Sequence, residues 1–276
     1  RINTIDILST TPGVAQNAYP WTGTYFKNVP IKLRAKAKPG YKFSHWSGAV
    51  FSHDTLLVLV PDSNFSIQAN FEPDALPDEL LYFWLFGTQL PNDVPLDSIK
   101  STFSKDNQAG SLKFSSCLPG YPFSVGHPSW RKSSMERRNA PTSLNYREAG
   151  NGGIAFASAE MRGIQIKQAF KAEQRENELQ LRFTTTNRHR IKCSFAAQDD
   201  GAADSVSVHY WNGSTWSKEG LAVNTFALAS EYQVYRIDFS NVTEANDNPL
   251  FRVRISFKGD SLFAENGKRV TFNNIS

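Results

Sequence analysis

Ile31-Lys32-Leu33-Arg34-Ala35-Lys36-Ala37-Lys38 alternates apolar and basic residues along its whole length. Successive side chains of a strand point to opposite faces, so this spacing sets an apolar side against a core and a basic side in water. The same period of two, and not 3.6, runs through almost every regular segment of the chain. Pro39-Gly40 then supplies a turn. The next run, Tyr41-Lys42-Phe43-Ser44-His45-Trp46, alternates aromatic with polar residues. Tyr41, Phe43 and Trp46 are expected in one core, and a bend at Ser44-His45 must shift the phase for Trp46 to join that face. Thr55 to Val60 and Ser66 to Phe71 are further strand candidates.

The rhythm breaks at Glu72-Pro73-Asp74-Ala75-Leu76-Pro77-Asp78. Two prolines among small and acidic residues make a stiff, solvated connector. The expected organisation is a first domain over 1–73, a linker over 74–78 and a second domain over 79–276. Leu80-Leu81-Tyr82-Phe83-Trp84-Leu85-Phe86 is apolar on both faces, which suits a strand in the middle of a sandwich. Later strands are expected at Gly163 to Gln168, Glu178 to Phe183, His189 to Ala196, Ser205 to Trp211, Tyr232 to Phe239, Leu250 to Phe257 and Arg269 to Asn274. With many turn residues and no long amphipathic helix, this set points to an all-β chain whose larger part is a β-sandwich.

Tyr210-Trp211-Asn212-Gly213-Ser214-Thr215-Trp216 reads as a hairpin, because Asn-Gly accepts the positive φ angles a tight turn needs. Alternation from Val206, Val208 and Tyr210 points Trp211 to the opposite face. Trp211 is therefore expected exposed and Trp216 in the core. Cys117 to Gly153 is long, rich in Pro, Gly, Ser and Arg, and without steady alternation. Long loops of that kind often carry function.

The 276 residues are 40% hydrophobic, ample for a packed core, and the formal charge is only +4. That balance gives no strong field for nucleic acid or an anionic membrane. No run reaches the roughly 18 apolar residues of a membrane span. The chain opens at Arg1 without methionine and is expected to be a processed product or part of a longer protein. Cys117 and Cys193 make neither a disulfide framework nor a metal site; Cys193 reads as a buried thiol, with a single bridge to Cys117 as the alternative.

The motifs of hydrolytic serine, zinc, phosphate-loop and EF-hand chemistry are absent, so no catalytic residue is expected. Asp199-Asp200-Gly201-Ala202-Ala203-Asp204 reads as a turn, with a calcium site as the alternative. No cofactor is expected.

Lys38-Pro39-Gly40-Tyr41-Lys42-Phe43-Ser44-His45-Trp46-Ser47-Gly48, closing with Ile67-Gln68-Ala69-Asn70-Phe71, resembles the divergent internalin-B-type repeat. The resemblance covers roughly 1–73 and implies a small β-grasp-like module of bacterial surface proteins, used as a spacer or adhesive unit. Asp204-Ser205-Val206-Ser207-Val208-His209-Tyr210 leading to Trp216, with Arg269-Val270-Thr271-Phe272-Asn273-Asn274-Ile275, resembles a jelly roll of the carbohydrate-binding type. Together they resemble C-terminal regions of secreted Bacteroidetes-type proteins, some with a spore coat protein H-like kinase domain upstream. That implies an extracellular or cell-surface location and an upstream domain as partner. No kinase motif stands in this chain. Such jelly rolls often hold a structural calcium ion; here the last strand offers Asn273 and Asn274 instead of a carboxylate.

The candidate ligand-binding residues are Trp130, Arg131, Arg137, Arg138 and Tyr146 in the long loop, and Trp211 on the hairpin. Flat rings stack on sugar faces, and arginine forks donate to hydroxyls or carboxylates. The alternative is that Trp130 plugs the sandwich edge while the arginines bond loop carbonyls. Phe251 to Lys258 sets Arg252, Arg254, Ser256 and Lys258 on one side, which suits either a ligand-binding face or a solvated one. The expected function is non-catalytic recognition of a glycan or cell-surface polymer. The alternative is a structural adhesion or assembly module that binds a protein or positions an upstream domain.

Overall fold

Ile31, Leu33 and Ala35 are buried in the strand Ile31–Lys36, while Lys32, Arg34 and Lys36 are exposed. In the computed structural model, which describes residues 4–7, 22–37, 41–73, 78–148, 151 and 153–276, this strand lies between Thr4–Ile7 and Leu56–Leu59, antiparallel to both. The expected Pro39-Gly40 turn and most of the expected linker, 74–77, lie outside the described residues. The chain divides into two compact units, Arg1–Glu79 and Leu80–Ser276.

Tyr41–Gly48 pairs with Ile67–Pro73, and the register slips between Phe43 and His45. A bulge adds one residue to one strand and so flips the faces beyond it. That slip brings Trp46 to full burial, 5.5 Å from the Phe43 ring, with its Nε1 donating to Asp54 O at 2.8 Å. Trp46, Ile31, Leu33, Ala35, Leu57 and Leu59 form the small core, with Phe43 and Phe71 packed against it. Tyr41 stays half-buried outside that cluster.

The larger unit is a sandwich of two antiparallel sheets. One runs in the order Trp216–Ser217, Ser205–Trp211, Phe251–Lys258, Glu178–Phe183, Ser111–Ser115 and Ser98–Lys100, with Thr225–Ala227 also paired to Ser205–Trp211. The other runs Gln233–Asp238, Lys192–Asp199, Arg269–Asn273, Gly163–Lys167, Met135–Arg138 and Pro95–Leu96. Leu112, Leu181, Val208 and Ile255 of the first sheet share one buried cluster with Ile164, Ile166, Ile237 and Val270 of the second. Phe257 and Phe272 meet between the sheets with centroids 6.2 Å apart. Burying each such side chain stabilises the fold by about 1.5–3 kcal/mol. Among the described residues the helical segments include the 3-10 turns Ser158–Glu160 and Thr243–Ala245, and no helix is long and apolar enough to cross a membrane.

Three expectations change. Leu80 to Phe86 is no central strand: only Tyr82–Phe83 is paired, to Phe103–Ser104, with a bridge from Trp84 to Ile275. Its two apolar faces serve two cores. Tyr82, Trp84 and Phe86 join the sandwich, while Phe83 and Leu85 pack with Met161 in a separate cluster. The segment from Cys117 to Gly153 contains a strand, Met135–Arg138, that belongs to the second sheet. The strand expected from His189 begins at Lys192, because Arg190 takes a positive φ of 57° that a strand cannot hold.

Candidate functional site

The two outward faces of the sandwich are finished differently. On the second sheet Glu136, Gln165, Thr271 and Asn273 alternate with core residues and so point outward, yet each is at most 1% exposed. The chain folds back over them. Asn274 donates through Nδ2 to Thr142 O and Leu144 O, at 2.9 and 2.7 Å, and Asn145 donates to Asn274 O at 2.7 Å. Beside this cover runs a polar chain. Arg131 reaches Asp93 Oδ1 at 2.7 Å and Glu136 Oε2 at 2.9 Å. Glu136 also accepts from Gln165 Nε2 at 2.9 Å and Ser134 Oγ at 2.6 Å. Gln165 in turn accepts from Arg269, which pairs with Asp200. Buried polar groups need such partners, and here most find them within the chain, Asn274 Oδ1 excepted.

The first sheet leaves much of its outward face accessible, although Ser207 and Ser256 are only 6% and 3% exposed. Val206, Val208 and Tyr210 point into the core, which turns Ser207, His209 and Trp211 outward. The same logic turns out Arg252, Arg254 and Lys258, then Glu178, Gln180 and Arg182, then Lys113 and Lys100. Register lines them up. His209 stands opposite Arg254, Arg254 opposite Gln180, Gln180 opposite Lys113, and Lys113 opposite Ser98. Four inter-strand steps of about 4.8 Å make this row roughly 19 Å long.

Aromatic rings close one end of the row. Trp211 and Trp216 are direct cross-strand partners, with centroids 5.5 Å apart and planes at 74°. The Arg252 guanidinium sits 5.8 Å from the Trp211 ring centre, and that of Arg254 4.8 Å from the Trp216 ring centre. Such cation–π contacts hold a guanidinium flat and leave its edges free to donate. Arg254 also meets Glu178 Oε1 at 2.9 Å, and Arg182 donates to Gln180 Oε1 at 2.7 Å. The Nε atoms of Arg182, Arg252 and Arg254 and the Nδ1 of His209 are buried without a hydrogen-bond partner. Burial first, and then the neighbouring Arg254, Lys258 and Lys218, hold His209 below the usual imidazole range. At the far end a shallow depression of about 290 Å³ is lined by residues including Ser111, Lys113, Arg182 and Leu250.

Of the residues singled out from the sequence, Trp211 lies on this open face. Trp216, expected in the core, lies there too. Cross-strand partners share a face, and a reading of one strand alone misses that. The loop residues do not converge. Trp130 is half-buried on a turn closed by its N–H to His127 O, at 2.8 Å. Arg131 belongs to the Asp93–Glu136 chain. Arg137 stands opposite Ile164 at the sandwich edge, 6% exposed, and donates through Nε to Leu90 O at 2.6 Å. Arg138 is half-buried at the end of its strand. Tyr146 packs against Phe83 at 5.9 Å and donates to Ile154 O.

The Asp199 carboxylate accepts from the backbone N–H groups of Gly201, Ala202 and Ala203, which is how an aspartate stabilises a turn. Cys117 and Cys193 are free and buried. The residues the sequence reading passed over are His209, Gln180, Arg182 and Lys113. The signal was present: Leu179, Leu181 and Phe183 face inward, which obliges their alternates to face out.

Residues 5–75 match the divergent InlB B-repeat domain family. A search of the curated proteins gives no match. Among solved structures, the chain is similar to a family 11 carbohydrate-binding module from Clostridium thermocellum, solved with a mixed-linked tetrasaccharide. That alignment covers 71% of this chain and 95% of the other, with 10% identity and a TM-score of 0.32. A CBM4 structure aligns over 41% of this chain and 68% of its own, with 11% identity and a TM-score of 0.31. The K2 cleaved adhesin domain of Lys-gingipain aligns over 44% and 74%, with 10% identity and a TM-score of 0.28.

Proposed function

We propose that the larger unit is a non-catalytic extracellular binding module that holds an extended glycan across the open face of its first sheet. The smaller unit serves as a spacer within a longer secreted protein. The observation that carries this reading is the difference between the two outward faces. One is sealed by the chain's own loops, and the other presents a row of polar side chains ending in the Trp211–Trp216 corner. Sugars offer apolar ring faces to aromatics and hydroxyls to donors, and a flat, ridged surface accommodates a polymer better than a deep pocket would.

Affinity measurements on the full chain across a panel of polysaccharides test this. At least one polymer binds, and Trp211→Ala and Trp216→Ala each weaken it tenfold or more, about 1.4 kcal/mol, with the circular dichroism unchanged. No binding to any polysaccharide would contradict the reading.

A second reading, adhesion to a protein, draws on the smaller unit. There Leu56 and Val58 are 40% and 52% exposed on the edge strand Leu56–Leu59, with Val60 just beyond it at 58%. Exposed apolar stripes of this kind often mark interaction surfaces. Binding to a cell-envelope protein that Val58→Lys abolishes, with no sugar bound, would favour it.

A further inference from the structure

We infer that the polymer held by the open sheet face is an anionic polysaccharide, its acidic groups seated over the facing arginines Arg182 and Arg252. This rests on the glycan-binding reading above and narrows it.

Charge is sorted within the chain. The outward positions of the sheet carry Lys100, Lys113, Arg182, Arg252, Arg254 and Lys258 against the single carboxylate of Glu178. Six cations less one carboxylate give this face +5, while the whole chain carries a formal +4. Everything outside the face is therefore close to neutral. Elsewhere in the chain the remaining 24 cations are offset in number by the remaining 25 acidic residues.

Register brings like charges together. Arg182 and Arg252 are direct cross-strand partners, an arrangement that repels. The carboxylates nearby do not relieve it, because Glu178 is engaged by Arg254 and Gln180 and Glu176 by Lys171. Among the described residues neither Arg182 nor Arg252 has a carboxylate partner. Arg252 is instead held by the Trp211 ring, and Arg182 by the amide oxygen of Gln180. An anion laid over the pair would supply the missing counter-charge.

The chemistry of the donors agrees. Arginine and lysine donate and cannot accept. A neutral sugar hydroxyl does both, and sites that read hydroxyls need acceptors as well as donors. Here nearly every long polar chain is a donor, which complements carboxylate and sulfate oxygens that only accept. The depression lined by Ser111, Lys113 and Arg182 continues the cationic row past Arg252, so more than one acidic group along a polymer would be met.

Titration of the full chain with four probes tests the inference: polygalacturonate, dextran sulfate, a neutral mixed-linkage glucan and poly-glutamate. Polygalacturonate or dextran sulfate is expected to bind at least tenfold more tightly than the glucan. The affinity should fall with added salt, and both the double variant Arg182→Gln/Arg252→Gln and Trp211→Ala should reduce it tenfold. The two acidic polymers tell a carboxylate reader from a sulfate reader. If the double variant unfolds, Lys113→Gln in an otherwise native chain is expected to weaken the same complex severalfold. Glucan bound as tightly as the acidic polymers, with the same dependence on Trp211, overturns the anionic inference and leaves the glycan reading standing. Poly-glutamate bound as tightly as the acidic polysaccharides, with no effect of Trp211→Ala, overturns it too, because the face is then a simple cation exchanger. Silence from all four probes overturns this inference; the wider polysaccharide panel then decides the glycan reading.

Discussion

Trp211 and Trp216 stand directly opposite each other across the Asn212-Gly213 hairpin, ring centres 5.5 Å apart and planes at 74°, on the outward face of the sheet. The turn that sets this pair is local. Gly213 takes a φ of 102°, and the Asn212 side chain accepts from the N–H groups of Ser214 and Thr215 at 3.0 and 2.9 Å. A short hairpin fixes the register, and the register fixes the corner. Arg252 and Arg254, one strand further in, are then stacked on the two indoles. The whole arrangement follows from one turn and two strand pairings.

His209 lies within this face, and its titration should report on the ligand. Burial, with Arg254, Lys258 and Lys218 around it, lowers its pKa in the folded protein. The unfolded chain therefore binds more protons in the window just below about pH 6.5, so free-protein stability rises with pH through that window. A bound anion favours the imidazolium. Affinity for an acidic polymer should then tighten as pH falls from about 7.5 to about 5.5, with proton uptake seen by calorimetry in buffers of different ionisation enthalpy. His209→Gln should flatten that dependence. Identical pH profiles for the two proteins would contradict the placement of the anion.

Glu136 is fully buried and holds Arg131, Gln165 and Ser134 together on the closed face. Glu136→Ala leaves those groups without their acceptor and should cost about 1–3 kcal/mol, measured by urea denaturation. Glycan affinity should be unchanged in the folded variant, because this residue is on the opposite side of the sandwich from the proposed site.

Burial pushes the Cys193 thiol up to about 12, and burial also raises that of Cys117 despite its hydrogen bond to Ser133. At about pH 8 a thiol with such a pKa is ionised to about one part in ten thousand, and thiolate is the reactive form. Dithionitrobenzoate should therefore find no Cys193 in the native protein and both cysteines after unfolding. Rapid stoichiometric labelling of the native chain would contradict the buried placement.

Trp46 is fully buried, and the bulge at Ser44 serves to put it there. Trp46→Ala should cost about 3–5 kcal/mol, comparable with the entire stability of so small a unit. Hydrogen exchange should show Ile31–Lys36 and Tyr41–Gly48 losing protection while Glu178–Phe183 keeps it.

Much of this was legible in the sequence because strand alternation is local information. The faces of Ile31 to Lys36, the phase shift before Trp46 and the outward placing of Arg252, Arg254 and Lys258 follow from counting by twos, while Ser256 of the same set is buried. What counting by twos does not give is which strands become neighbours. The facing of Arg182 and Arg252 joins positions far apart in the sequence, and only the sheet order brings them together. Trp216 was misplaced for the same reason, since its face is set by its partner across the hairpin. Leu80 to Phe86 misleads differently: two small cores on either side of one segment look, in sequence, like one large one. The arginines of the long loop carry the residue types of a binding site, but a buried Glu136 and a backbone carbonyl take up Arg131 and Arg137.

The central claim is that ligand meets the open sheet face, and indole resonances test it most directly. The chain has six tryptophans, hence six indole N–H signals. Titration with fragments of a bound polysaccharide should shift the signals of Trp211 and Trp216 together and saturably, with those of Trp46 and Trp84 unmoved. A shift of Trp130 with Trp211 and Trp216 silent would move the site to the loop and contradict the account.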